Sequence, residues 1–313
     1  MVMAMSSAPV DSENAPLGAV PAGLIDAPLE AAKVASRLLA QATTAVKDAA
    51  LASIANALNA SADRIIAANA DDLARGRENG LSDGLIDRLR LDETRVAALA
   101  SAVRDVIALP DPVGTVVRGS TLPNGVQLSQ VRVPFGVVGA IYEARPNVTV
   151  DIAALALKSG NAVVLRGGSA ARSSNEVLVA VIQQALASVG LPEAAVQTID
   201  EHGRAGATAL MRARGFIDVL IPRGSADLIQ TVVRESTVPV IETGAGVVHI
   251  VLDESADEQM AVDIVHNAKV QRPSVCNAVE TVLVHADAAE RLVPSVVTAL
   301  RASGVLVRGD ERA

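Results

Sequence analysis

Between residues 137 and 242 the chain repeats one unit: a short run dominated by Val, Ile and Leu, then a stretch of helical periodicity. The apolar runs fall at 137–142, 162–166, 196–199, 217–222 and 238–242, and the helical stretches at 147–158, 174–189, 203–214 and 226–235. Strands that are apolar at every position are buried on both faces, and strands that alternate with helices cross over to lie parallel. The expected fold class is α/β, built on a parallel sheet covered by helices. Such a sheet binds ligands at the carboxyl ends of its strands.

Ahead of this region the pattern is helical from Pro28 to about Leu109. Leu29, Val34, Leu38 and Leu39, then Leu51, Ile54 and Leu58, then Ile65, Ile66 and Leu73 recur at helical spacing. Ser61 with Asp63 and Leu91-Asp92-Glu93-Thr94 read as helix starts, and Asn79-Gly80 and Pro110-Asp111-Pro112 as stops. A strand is expected at 126–133, after the Pro123-Asn124-Gly125 turn. Half the residues are hydrophobic, yet there is no Trp, one Tyr and two Phe, so the core must be built from Ala, Val, Leu and Ile.

The formal charge is −8 with the two signs interleaved, which argues against nucleic acid or an anionic membrane as the main partner. It leaves room for an anionic small molecule held by local arginines. A single cysteine excludes an intrachain disulfide framework and fits a reducing cytosol. Residues 1–27 hold no Lys or Arg but carry Asp11, Glu13 and Asp26, unlike a secretory signal or transit peptide. They are expected to form a disordered tail on a cytoplasmic protein. No run approaches the ~18 apolar residues of a membrane span.

Three strand ends combine glycine with a polar or charged residue. Arg166-Gly167-Gly168-Ser169 puts a cation beside two residues that let a ligand approach the backbone. Pro222-Arg223-Gly224-Ser225 runs into a helix N-terminus, an anion-binding geometry. Glu242-Thr243-Gly244-Ala245-Gly246 follows the last run. Each is also readable as an ordinary glycine turn, and the Gly-x-Gly-x-x-Gly fingerprint is at none of them. Cys276 sits in Gln271-Arg272-Pro273-Ser274-Val275-Cys276-Asn277, between an expected helix and an expected strand. Such a turn suits a nucleophile, with Asn277 and nearby N–H groups to hold an oxyanion, while the competing reading is a small buried hydrophobe. The four histidines show no ligand spacing, so no metal is expected.

Four motifs in order make the chain resemble a known family: Val137 to Asp151 with Tyr142-Glu143-Ala144-Arg145-Pro146-Asn147, Leu157 to Gly168, Leu220-Ile221-Pro222-Arg223-Gly224, and the Cys276 segment. It is similar, from about Pro28 onward, to the gamma-glutamyl phosphate reductases of the aldehyde dehydrogenase superfamily. The resemblance implies reduction of L-glutamyl 5-phosphate by NADPH to glutamate 5-semialdehyde and phosphate, a step of proline biosynthesis. Cys276 would form a thioester as phosphate leaves, and hydride from the nicotinamide would release the aldehyde.

By the same resemblance Asn147 and the Cys276 main-chain N–H hold the oxyanion. Arg166, Gly167, Gly168 and Ser169 match the adenosine-ribose strand end, where a cation favours the NADP 2′-phosphate. Pro222, Gly224 and Ser225 match the pyrophosphate turn, with Ser225 where a second glycine is common. Glu242 precedes Cys276 at the spacing of the general base in hydrolytic relatives; a reductase needs no such base, so Glu242 is read as lying near the cofactor or the thiol. Arg145, Arg272 and Asn277 are candidates for binding the anionic substrate, the arginines being equally readable as salt-bridge partners within the fold.

The expected organisation is an aldehyde dehydrogenase-like α/β chain. Residues 28–252 form the N-terminal helices and an NADP-binding domain, and 253–313 begin a catalytic domain that continues in full-length members of the family. Glutamate 5-kinase and a second copy of the chain are the implied partners. The alternatives are an inactive remnant that binds NADP or a partner, and another acylating aldehyde dehydrogenase.

Overall fold

The computed structural model describes residues 21–244, 246–273 and 275–310. They fall into two units divided between Thr243 and Gly244.

The first unit opens with α1 (Asp26–Leu39), α2 (Thr44–Ala60), α3 (Ala62–Glu78), α4 (Asp83–Leu89) and α5 (Glu93–Ala108). Thr43 and Asp92 cap α2 and α5 by accepting the N–H groups of Val46 and Arg95, as short polar residues do at helix starts. Helix α1 begins ahead of Pro28, and Ile25 is only 2% exposed within the core. Leu24 and Ile25 are therefore packed on the core rather than belonging to a tail, while residues 1–20 of the expected tail lie outside the described residues.

Buried lysines tie the helices together. The Lys47 ammonium, on a residue 2% exposed, lies 2.5 Å from Asp111 just beyond α5. Lys158 donates to Asp48 at 2.6 Å and to the Ile107 carbonyl at 2.9 Å. Among the described residues, no helix is long and apolar enough to cross a membrane.

An antiparallel hairpin follows, β1 (Val116–Thr121) with β2 (Gln127–Val131), exposed throughout. Its turn uses Gly125 at φ +85°, a backbone region that glycine adopts without strain. The expected strand ends at Val131 rather than Val133, and its partner β1 is an element the sequence reading lacked.

The parallel sheet is β3 (Val137–Tyr142), β4 (Ala162–Arg166), β5 (Val196–Thr198) and β6 (Val219–Arg223), in the spatial order β5-β4-β3-β6. Its helices are α6 (Pro146–Lys158), α7 (Arg172–Ser188), α8 (Gly203–Met211) and α9 (Ala226–Glu235). Helices α6 and α7 pack on each other and against α2, while α1 and α8 pack on β4. Every residue of β3 is buried, as expected for a central parallel strand.

The strand expected at 238–242 is reduced to a bridge between Leu220 and Val240. Pro239 accepts from Leu220 N–H (2.8 Å) but has no N–H of its own to extend the ladder.

The second unit contains β7 (His249–Leu252), α10 (Glu258–Val270), β8 (Thr281–Val284) and α11 (Ala289–Ala302). Strands β7 and β8 pair in parallel, and Leu252, Val265, Val282, Leu292 and Val296 form its core. This pairing moves the domain boundary from the expected 252/253 to Thr243/Gly244, because β7 belongs with the elements that follow it.

Candidate active site: a nucleotide-type strand edge and a thiol turn

In the first unit, β3 is flanked by β4 on one side and β6 on the other, so the chain's winding reverses direction there. The crevice of an open α/β sheet opens at the carboxyl ends of such strands. The register brings Arg166 beside Ile141, Pro222 beside Ile141 and Arg223 beside Tyr142. Arg145, Asn147, Arg166 to Ser169 and Pro222 to Ser225 thus all fall at or just beyond this one edge.

At the end of β4, half-buried Arg166 donates through Nε to the Gly203 carbonyl (3.3 Å). The Gly167 N–H donates to Asp200 Oδ1 at 2.6 Å, and Asp200 Oδ2 accepts from Asn175 Nδ2 at 2.9 Å. The polar chain continues inward, Thr149 Oγ1 donating to Asn175 Oδ1 (2.9 Å) and pairing with the Tyr142 hydroxyl (2.6 Å).

Burial pushes the Asp200 carboxyl above its ordinary range, opposed by the donors from Asn175 and Gly167 and by the charge of Arg166. Burial likewise pushes the Tyr142 phenol up, which keeps it a neutral link in the chain. A Cβ on Gly167 would lie 2.1 Å from Asn175 Nδ2, and one on Gly168 would lie 2.8 Å from the Ala144 nitrogen. Close internal packing therefore requires both glycines. Ser169 is exposed.

At the end of β6, Pro222 is buried while Gly224 and Ser225 are exposed. Ser225 caps α9, its Oγ accepting the Leu228 N–H at 3.4 Å. The Ser225 hydroxyl also donates to Glu143 Oε1 at 2.5 Å. At the end of β3, Arg145 is the N-cap of α6 and Pro146 starts the helix, where its missing N–H costs nothing.

Asn147, exposed in that first turn, donates through Nδ2 to Asp151 Oδ2 at 3.0 Å. Burial raises the Asp151 carboxyl, tempered by the Asn147 donor and the charge of Arg223. Glu242 is exposed, beyond the Leu220–Val240 bridge.

In the second unit, Cys276 lies in the turn between α10 and β8 and is exposed and unpaired, which removes the reading of a buried hydrophobe. The turn is closed by Val275 N–H to Arg272 O (3.3 Å) and Ala278 N–H to Val275 O (3.2 Å). Behind it Val279 N–H donates to Ala268 O (3.1 Å) and buried Lys269 donates to Val279 O (2.9 Å). Arg272 and Asn277 are exposed on either side of the thiol, and Ser274 lies outside the described residues. Elsewhere in this unit Glu254, His285 and Asp287 approach one another at the surface, but His285 Nδ1 already accepts the Asp287 N–H at 3.3 Å.

The profile of the aldehyde dehydrogenase family matches residues 14–310. The gamma-glutamyl phosphate reductase of Clavibacter michiganensis subsp. michiganensis is 68% identical over 291 residues, covering 93% of this chain and 67% of that protein. The chain belongs to the gamma-glutamyl phosphate reductases of the aldehyde dehydrogenase family.

Its likeness to the reductase of Leifsonia xyli subsp. xyli is 70% over 281 residues, again covering 67% of that protein. The chain thus spans about two thirds of the length of these relatives. Among solved structures, the gamma-glutamyl phosphate reductase of Thermotoga maritima superposes with a TM-score of 0.84 at 42% identity, covering 92% of this chain and 70% of that one. The aldehyde dehydrogenase-like α/β fold with its parallel sheet stands on that likeness and on the strand order above. Family membership also brings a nicotinamide cofactor.

Several residues of this reductase fold were not singled out from the sequence. Asp200 stands two residues past β5 and Asp151 four residues after Asn147, positions that carry a signal only once the strand ends are known to converge. Lys269 reads as an ordinary surface lysine within a polar helix, and Glu143 was one letter of a motif with no task attached.

Proposed function

We propose that the chain carries the NADPH-dependent reduction of L-glutamyl 5-phosphate to glutamate 5-semialdehyde and phosphate, the second step of proline biosynthesis from glutamate, with Cys276 as the nucleophile. The observation that carries this reading is the exposed thiol in the α10–β8 turn, in a chain 68% identical to a gamma-glutamyl phosphate reductase. That identity also disfavours an acyl-CoA substrate and an inactive remnant.

The Cys276 thiolate attacks the acyl carbon, the acyl–oxygen bond to phosphate breaks, and phosphate leaves with the electron pair to give a thioester. Negative charge grows on the former carbonyl oxygen, which needs fixed N–H donors. The Cys276 main-chain N–H is one. The family resemblance assigns Asn147 as the other; within its own unit Asp151 accepts from its amide, which orients the group. Arg145, Arg272 and Asn277 are assigned to the phosphate and the distal carboxylate of the substrate.

NADPH, when bound, supplies the hydride that converts the thioester to the aldehyde. The donor set of the strand edge fits such a dinucleotide. Arg166 offers a cation for the 2′-phosphate, with Gly167, Gly168 and Ser169 shaping the ribose turn. Pro222, Gly224, Ser225 and the first-turn N–H groups of α9 suit a pyrophosphate, and Glu242 is assigned by the family resemblance to the neighbourhood of the cofactor or the thiol. No water need be activated in this chemistry, so Glu242 has no obligatory base role.

The test is to incubate the chain with glutamate 5-semialdehyde and NADP in the absence of phosphate and measure its intact mass. A glutamyl adduct that maps to Cys276 and is lost in Cys276→Ser is expected. An adduct elsewhere, or none, would sink the thioester mechanism.

A further inference from the structure

The carboxylate of Glu143 sits where the proposed function places a phosphate. Glu143 continues the ladder one residue past β3, its N–H donating to the Arg223 carbonyl at 3.2 Å. Its side chain then runs against Gly224, where a Cβ would lie 2.6 Å from Glu143 Cδ and 2.8 Å from Cγ. The absence of a side chain at 224 therefore makes room for the glutamate. The path ends at Ser225, whose hydroxyl donates to Glu143 Oε1 at 2.5 Å. Ser225 is the N-cap of α9, a helix running Ala226–Glu235, so the carboxylate rests at the positive end of that helix dipole.

We propose that the Glu143–Ser225 pair is a latch that sets dinucleotide affinity: Glu143 occupies the phosphate-binding turn of α9 and must leave Ser225 for a pyrophosphate to bind there. A serine hydroxyl has one hydrogen, so Ser225 donates to Glu143 or to a phosphate oxygen but not to both. A pyrophosphate on the same turn would also meet the glutamate's negative charge at close range. The device depends on the residue at 225, because a glycine there has no hydroxyl for Glu143 to hold. This inference rests on the reading of the α9 turn as the pyrophosphate site.

The experiment is a fluorescence titration of NADPH into the full chain as wild type, Glu143→Gln, Ser225→Gly and the double variant. Glycine is an acceptable N-cap and glutamine is nearly isosteric with glutamate, and a thermal melt of each variant checks the fold. Glu143→Gln is expected to tighten NADPH roughly three- to tenfold, since it removes the charge and weakens the bond to Ser225. In the Ser225→Gly background the same change is expected to gain less than about twofold.

An unchanged or weaker affinity in Glu143→Gln, with wild type binding normally, would overturn the latch alone. Equal gains in both backgrounds would also overturn it, showing bulk charge rather than a bond. Absence of NADPH binding in wild type and every variant would remove the dinucleotide reading, and the latch with it.

Discussion

Asp72 on α3 accepts both the backbone N–H and the hydroxyl of Ser174, at 2.8 and 2.7 Å, across a hundred residues of chain. Its other oxygen takes the Ser173 N–H at 3.0 Å and lies 2.5 Å from the Arg75 guanidinium. A carboxylate from the N-terminal helices thus caps α7, the helix that follows the Arg166 strand end. The N-terminal helices are thereby built into the nucleotide-type sheet.

Asp72→Ala would leave the buried Ser174 donors and the half-buried Ser173 N–H without their acceptor, and Asp72 itself is fully buried. The expected loss is roughly 2–4 kcal/mol of stability, from several unsatisfied groups and a lost cap. Urea denaturation followed by circular dichroism measures it, and a loss below about 0.5 kcal/mol would refute the capping role.

Asp111 gives stability a specific acid dependence. Burial pushes its carboxyl up, but the Lys47 ammonium, the Thr44 hydroxyl and the Val113 N–H outweigh this and hold it below the ordinary 3.8. A carboxyl depressed in the folded state adds stability that is fully present above the unfolded value and is lost as pH falls through the folded one. The stability gap between wild type and Asp111→Asn should therefore narrow below about pH 4 in melts across an acid series. A gap independent of pH down to the acid limit of folding would contradict this.

Arg166→Ala should weaken NADPH by roughly tenfold or more and NADH by much less, because only the former carries the 2′-phosphate that a guanidinium binds in bidentate fashion. Parallel titrations with the two dinucleotides provide the check. Equal losses would assign Arg166 to the turn, through its bond to Gly203, rather than to the phosphate.

The sheet was readable because its two central strands are apolar runs, 137–142 and 162–165, that become β3 and β4 as expected, with Arg166 closing β4. Periodicity failed where backbone chemistry intervenes, as at Pro239, which is apolar like its neighbours but cannot donate to a ladder. It also failed for β1, whose Val-Val-Arg-Gly-Ser-Thr neither alternates nor stays apolar, since the hairpin buries neither face.

The expected boundary at 252/253 put β7 with the first unit, and only its pairing with β8 reveals where the division falls. At the strand edge, the residue types that offer cations and glycines were visible in the sequence. The carboxylates that organise them, Asp200 under Gly167 and Glu143 on Ser225, depend on contacts between distant segments, for which one sequence carries no signal.

The central claim concerns the thiol, and the reverse reaction tests it most directly: reduction of NADP by glutamate 5-semialdehyde, with and without phosphate, on the chain and on Cys276→Ser. The account predicts turnover that requires both phosphate and Cys276, with NADPH affinity in the variant within about threefold of wild type. Turnover that survives in Cys276→Ser, or none in the wild-type chain, would contradict it.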